Sequence, residues 1–391
     1  MLTKLIEAEG GDSCGKSVRL ETPQERERRG GSSHARGKRP PAADINGVKK
    51  RKQAFEKMER ELFMEYKTIG DTGIYVSELC FGTMSFGGIA DEKTSMAMFN
   101  RCREVGINFF DTANIYNSGR SEEILGKCIA DCRDDIVLTS KVGLPSGVGK
   151  NEGGTSRRHI FLSIEKTLKR LGTDRIEFYF LHRFDETTDI EETLIALDDL
   201  QRQGKILYPA VSNWAAWQIA KALGISERKA LAKFKLIQPM YNLVKRQAEV
   251  EILPLAQAEG LGVISYSPLG GGLLTGKYGE AKKPKQGRLV EQQNYQLRYA
   301  QEDYYEIASR FTQYANENGY DPVSLAVAWV KSNPSITAPI IGARNLEQLE
   351  PALDSISISL EKNQWEEIAS LSITPPLATD HSAEEGIVKS R

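Results

Sequence analysis

Eight short apolar segments recur along this chain of 391 residues: SELCFG, INFFD, DIVLTSK, IEFYFLH, KILYPAVS, KLIQPMYN, GVISYS and APIIG. Most are separated by roughly 30 residues that carry a helix-period pattern. Continuous apolar strands alternating with amphipathic helices predict a parallel sheet covered on its outer side. Eight such units fit a closed (β/α)8 TIM barrel, an α/β fold whose sites form at the carboxyl-terminal mouth. Helices are predicted in SEEILGKCIADC, HIFLSIEKTLKRLG and IEETLIALDDLQRQGK; in the last, Leu194, Leu197 and Leu200 share a face and Gly204 marks the end. TIGDTGIYVSEL, with its DTG turn, reads as a hairpin that plugs the barrel floor. The long interval from Gly276 to Asp303 reads as a polar loop able to fold over the mouth.

Ionisable side chains stand where the apolar segments stop. Asp111 closes GINFFD, Lys141 closes DIVLTSK, His182 closes IEFYFLH, and Tyr116 lies five residues beyond Asp111. A buried strand that ends on such a residue delivers it to the rim. Taken singly, a strand-end Asp or Tyr is a cap or a packing residue. An acid, a phenol, an amine and an imidazole on one rim form a proton-transfer set.

Composition bounds the rest. With 40% hydrophobic residues the chain can build one sizeable core, and a formal net charge of −1 gives no bulk pull toward nucleic acid or membrane. No apolar run approaches the roughly 20 residues of a membrane span, and the first residues resemble neither a secretory signal nor a transit peptide. The five cysteines are odd in number and scattered, which reads as reduced thiols in a cytoplasmic protein. Cys128 and Cys132 lie one helical turn apart without a nearby His, so no metal site is expected. Residues 1–63 hold 15 Lys/Arg against 10 Asp/Glu and few core-forming residues, and read as a disordered, charged extension. The basic run KKRK within it suits a nuclear signal or an anionic partner, or simply a solvated tail. The barrel is placed at 64–376 and a tail at 377–391.

Several motifs in order and spacing then carry a family resemblance. They are MEYKTIGDTGIYVSELCFGTMSFG, GINFFDTANIYNSGRSEEILGK, SKVG, LGTDRIEFYFLHRFD, VSNW, QPMYN, YSPLGGGLLTGKY and PIIGARNLEQL. From about residue 64 to 373 the chain resembles the aldo-keto reductases, NADPH-dependent carbonyl reductases built on this barrel. The resemblance implies reduction of an aldehyde or ketone, with Tyr116 as proton donor. A phenol of pKa about 10 needs help to give up its proton. Lys141 supplies a neighbouring ammonium that lowers that value, Asp111 holds Lys141 in place, and His182 orients the substrate oxygen.

The same resemblance assigns the cofactor, NADPH/NADP+, bound extended; no GxGxxG opens a helix here. Ser212, Asn213 and Gln238 would hold the nicotinamide carboxamide and Tyr266 would stack on its ring. Ser267, Leu269 and Gly271, in a glycine-rich stretch, would let backbone amides approach the pyrophosphate, unless the glycines serve only as a hinge. Gly342 and Arg344 precede a helix whose amino terminus, with the guanidinium, suits a 2′-phosphate; Gln348 would face the adenosine. Pro351 and Ala352 stand where the family often places an acidic residue or Asn, then Asn, and Asn117 stands where Gly commonly follows the Tyr.

Phe86 and Trp214 are candidate walls of an apolar substrate pocket, or else outer packing, with Arg183 and Phe184 near the mouth. The expected partner is a small carbonyl compound of modest size, with no nucleic acid and no membrane; monomer and homo-oligomer both fit. A second class is open, because members of this family serve as β subunits of voltage-gated potassium channels. Those carry Asn where this chain has His182, and the retained His favours an enzyme.

Overall fold

The computed structural model describes residues 64–279, 284–285 and 287–380. The extension expected over 1–63 and the tail beyond 380 lie outside the described residues. The first element is the predicted hairpin: β1 (Tyr66–Thr68) pairs antiparallel with β2 (Tyr75–Ser77), Tyr66 opposite Ser77. The turn closes through the Ile69 amide, which donates to the Ile74 carbonyl at 3.0 Å.

Eight parallel strands then close a barrel in the order β10-β3-β4-β5-β6-β7-β8-β9. They are β3 (Cys80–Gly82), β4 (Phe109–Asp111), β5 (Val137–Val142), β6 (Ile176–Leu181), β7 (Ile206–Ser212), β8 (Leu236–Gln238), β9 (Gly262–Ser265) and β10 (Ala338–Ile341). Because strand side chains alternate, the buried apolar residues divide into two sets. Cys80, Phe109, Phe178, Phe180, Ala210, Leu236, Ile264 and Ala338 fill the barrel interior. Their neighbours Phe81, Phe110, Tyr179, Val211, Ile237 and Val263 join the larger cluster beneath the helices. Both faces are dry, which is why the strands read as continuous apolar runs.

The hairpin belongs to the inner set. Ile69 and Val76, both without exposed surface, pack with the interior residues and close the floor. Gly262 makes room for this: a Cβ there would stand 2.6 Å from Ile69 Cγ2.

The helices begin and end on side-chain and glycine caps. Glu92–Glu104 starts at Asp91, whose carboxylate accepts from the Thr94 amide, and Arg157–Leu171 starts at Ser156 and stops at Gly172 in the left-handed region. Ile190–Arg202 buries Leu194, Leu197 and Leu200 together, and Gly204 follows with φ 72°. The interval from 276 to 303 departs from the expected loop. Its described residues include two short helices, Arg288–Glu291 and Gln293–Arg298. The apolar anchors Leu289 and Tyr299 are buried, and the Tyr295 ring fills the space a Cβ on Gly271 would need.

Candidate active site

The alternation that fills the interior also aims the polar residues. Asp111 lies two positions beyond Phe109, His182 two beyond Phe180, Ser212 two beyond Ala210, Gln238 two beyond Leu236 and Tyr266 two beyond Ile264. Lys141 follows inward-facing Val137 by four. Each therefore continues the inward row of its strand at the carboxyl-terminal end.

The inner row converges on Asp111. Its Oδ2 accepts from Lys141 Nζ at 2.5 Å, and its Oδ1 accepts from Thr139 Oγ1 at 2.6 Å and Gln238 Nε2 at 2.9 Å. Lys141, with no exposed side-chain surface, also donates to the Thr112 carbonyl at 2.8 Å and to the Tyr116 hydroxyl at 3.4 Å. A buried charge pair is tolerable only when its remaining donors and acceptors are filled, and four neighbours do that here. The His182 ring meets the Tyr116 ring edge-on at 6.0 Å.

Electrostatics set the protonation states. Burial alone would pull the Lys141 ammonium down, but Asp111 and Tyr116 outweigh it and hold it above its usual value. Burial also pushes the Tyr116 phenol up, further than the Lys141 charge draws it down. The expected lowering by Lys141 is thus present in direction and outweighed in sum: although Tyr116 is only partly buried as a residue, the atoms packed around its hydroxyl dominate. Burial, then Lys141, lowers His182 to about 3, so its ring is neutral at ordinary pH. Its Nδ1 is buried without a hydrogen-bond partner among the described residues.

Tyr116 reaches the rim by an unusual turn. It opens a 3-10 turn, Tyr116–Gly119, in which Asn117 (φ 49°), Ser118 (φ 56°) and Gly119 (φ 91°) are all left-handed. Consecutive left-handed residues cost about 1–2 kcal/mol each outside glycine.

The later strands bring together most of the remaining candidates. Asn213, itself at φ 58°, donates through Nδ2 to the His182 carbonyl at 2.9 Å and to Ser212 Oγ at 3.0 Å, and its Oδ1 accepts from Tyr266 Oη at 2.7 Å. Ser212 Oγ donates to the Gln238 carbonyl at 2.9 Å. Ser267 (φ 60°), Leu269 and Gly271 (φ 68°) form the turn after β9. Gly342 and Arg344 follow β10, ahead of the helix Leu346–Asp354. That helix is capped by Asn345, whose side chain accepts from the Gln348 amide at 3.0 Å. Arg344 pairs with Glu291 of the Arg288–Glu291 helix at 3.6 Å.

Whether a phosphorylated dinucleotide suits these residues can be judged from charge. Burial, with repulsion from Arg344 and then Arg288, pulls the Lys277 ammonium below its usual value, and Glu291 opposes the shift. Lys277 also lies beside Gly272, Nζ 3.9 Å from where a Cβ would stand. Three cations crowded around a glycine turn and a helix amino terminus suit phosphate oxygens. At the other end, Gln238 commits its amide nitrogen to Asp111, leaving its Oε1 without a donor among the described residues. The residues fit the group.

Lys277 and Arg288 are absent from the sequence-derived set, and so is Arg298, whose guanidinium lies 6.0 Å from the Tyr266 ring centre. Polar context hid them; only their convergence in space singles them out. Thr112 and Thr139 were equally silent, since nothing in a Thr within or just after an apolar strand announces a bond to a buried charge pair.

The pocket-wall expectation is corrected for Phe86. It has no exposed surface and packs on Phe81 at 5.8 Å, because the loop after β3 turns it down into the core. Trp214 is 5% exposed, wedged between Phe184 at 4.9 Å and Phe234 at 5.6 Å. The exposed aromatic beside it is Trp217, 62% accessible and 6.2 Å from Phe184. Arg183 is exposed. Among the described residues no group of His, Cys, Asp and Glu could hold a metal ion, and no helix is long and apolar enough to cross a membrane.

Comparison with known proteins adds the relatives. A family model described as the aldo/keto reductase family matches residues 78–373. The chain is 39% identical to an uncharacterized oxidoreductase of Bacillus subtilis (strain 168), covering 76% of this chain and 93% of that protein. It is 36% identical to a probable voltage-gated potassium channel subunit beta of Oryza sativa subsp. japonica, covering 75% and 92%. A norsolorinic acid reductase of Aspergillus flavus is 31% identical over 76% of this chain and 78% of its own length.

Proposed function

The chain belongs to the aldo/keto reductase family, and from that premise we propose that it is an NADPH-dependent reductase of aldehydes or ketones. The observation that carries the reading is the buried Asp111–Lys141 pair reaching the Tyr116 hydroxyl, with neutral His182 edge-on to the same phenol.

When bound, the reduced nicotinamide supplies a hydride to the carbonyl carbon. Tyr116 gives its hydroxyl proton to the carbonyl oxygen, completing the alcohol. Lys141 stabilises the phenolate left behind, and Asp111 keeps Lys141 charged and fixed. His182 contributes one N–H to the oxygen as negative charge builds there. Because its ring stays neutral, it orients the oxygen without competing with Tyr116 as the acid.

Ser212, Asn213 and Gln238 would hold the carboxamide and Tyr266 would lie against the nicotinamide ring. Ser267, Leu269 and Gly271 would flank the pyrophosphate. Lys277, Arg288 and Arg344, with Gly342, would meet the phosphates, and Gln348 the adenosine. The exposed Trp217 and half-buried Phe184 favour a carbonyl compound with an apolar body.

The test is a panel of aliphatic and aromatic aldehydes and ketones, norsolorinic acid included because of the named relatives, read by loss of NADPH absorbance. Independently, NADPH added at micromolar concentration should quench tryptophan fluorescence. Turnover on no compound together with no quenching would overturn the proposal.

A second reading comes from the likeness to the rice protein: a redox-sensing interaction protein that binds NADPH with little turnover. Quenching without turnover anywhere on the panel would favour it. The retained His182 points to the enzyme.

A further inference from the structure

We infer that Asn117 is a positioning residue for Tyr116, an inference that rests on Tyr116 being the proton donor. The phenol is weakly held at its own end, since its one hydroxyl hydrogen bond among the described residues, with Lys141, is 3.4 Å long. Its placement therefore depends on the backbone that carries it, and that backbone runs straight into the left-handed residues 117–119. A strained turn beside a reacting group persists only where its surroundings over-determine it.

Asn117 supplies that determination. Its Nδ2 donates to the Met84 carbonyl at 2.9 Å and to the Phe86 carbonyl at 2.7 Å, both in the loop after β3. Asn tolerates the left-handed region and has two amide hydrogens to give. The loop is shaped to receive it: a Cβ on Gly88 would stand 2.5 Å from Asn117 Oδ1, and one on Gly87 would stand 2.2 Å from Arg120 Cγ. Both glycines thus lie under side chains that flank the Tyr116 turn.

The loop itself is fixed at three points. Thr83 donates from its amide to the Asp111 carbonyl at 2.9 Å, and Phe86 from its amide to the Thr83 carbonyl at 2.9 Å. Ser85 Oγ donates to the Ala343 carbonyl at 2.7 Å. Asn117 therefore ties the proton donor to a frame that runs from the Asp111 end of β4 to the segment after β10. A hydrogen bond from Asn117 to substrate is not part of this role; it acts through Tyr116.

The test uses Asn117→Gly, which keeps the left-handed backbone and removes both donors, and Asn117→Asp, which sets a carboxylate against two carbonyls. The expected result in the full chain is a fall in kcat of about tenfold to a hundredfold, the effect of a small misplacement of a reacting group. NADPH affinity by tryptophan quenching should change less than about twofold. The solvent deuterium isotope effect on kcat should rise as proton delivery slows, which a merely structural loss would not produce. Wild-type kcat and isotope effect in both variants would overturn the inference, as would a kcat loss fully matched by lost cofactor binding. If Asn117→Asp does not fold, Asn117→Gly alone decides. Tyr116→Phe is the control: undiminished turnover there removes the premise, whereas its loss beside unaffected Asn117 variants defeats this inference alone.

Discussion

At the scale of single residues, the clearest division is between groups that ionise during turnover and groups held in one state. Tyr116→Phe should cut reductase turnover by several orders of magnitude while NADPH still quenches tryptophan emission; retained turnover on an accepted aldehyde would exclude Tyr116 as the acid. His182 carries a different signature. Its value falls from about 6.5 in an unfolded chain to about 3 in the fold, so between those limits the unfolded chain binds the extra proton. The stability this group contributes is complete above pH 6.5 and is lost as pH falls toward 3. His182→Asn should therefore show a shallower loss of Tm from pH 7 to 4 than the wild type, and equal slopes would contradict a buried neutral imidazole. Asp111, Lys141 and His182 were legible in the sequence because an ionisable residue at the end of an apolar strand is conspicuous. The fate of Phe86 was not, since an aromatic after a strand reads alike whether it lines a mouth or turns into the core. Lys277 and Arg288 were hidden for the opposite reason, as two more cations in a polar stretch.

Elements carry the next set of consequences. The eight strands, the main helices and the hairpin were readable because their periods are strong and Gly204 marks a helix end, whereas the capping roles of Asp91 and Ser156 emerge only in the fold. The interval from 276 to 303 was not, because its anchors Leu289, Tyr295 and Tyr299 are too widely spaced among polar residues to show a period. Gly262 makes the hairpin's seat testable. Gly262→Ala sets a methyl 2.6 Å from Ile69 Cγ2 and should cost about 1–3 kcal/mol. Ile69→Ala, which removes that Cγ2, should cost less in the Gly262→Ala background than in the wild type, and strictly additive Tm changes in the double variant would show that the two positions do not meet. The helix Leu346–Asp354 and its preceding Arg344 belong to the same scale. Arg344→Gln should weaken NADPH by about tenfold to a hundredfold, the worth of a charged hydrogen bond, and leave NADH nearly unchanged. An equal loss for both cofactors would remove the 2′-phosphate from Arg344.

For the molecule as a whole, deletion of residues 1–57 should leave Tm and turnover of the barrel unaltered, and a drop in either would show that the extension supports the fold. The larger consequence comes from the hairpin. Ile69 and Val76 seal the barrel at one end, so everything that visits Tyr116 and His182 must pass through the opposite opening. A chamber with one doorway imposes a queue. If the dinucleotide lies along β7–β10 and reaches the floor of the cleft, it must arrive before the carbonyl compound and leave after the alcohol. Steady-state inhibition by NADP+ should then be competitive against NADPH at every carbonyl concentration, while the alcohol product should compete with neither substrate. The small antiparallel pair at the foot of the barrel, far from any reacting atom, would in this way dictate the kinetic order of the whole cycle.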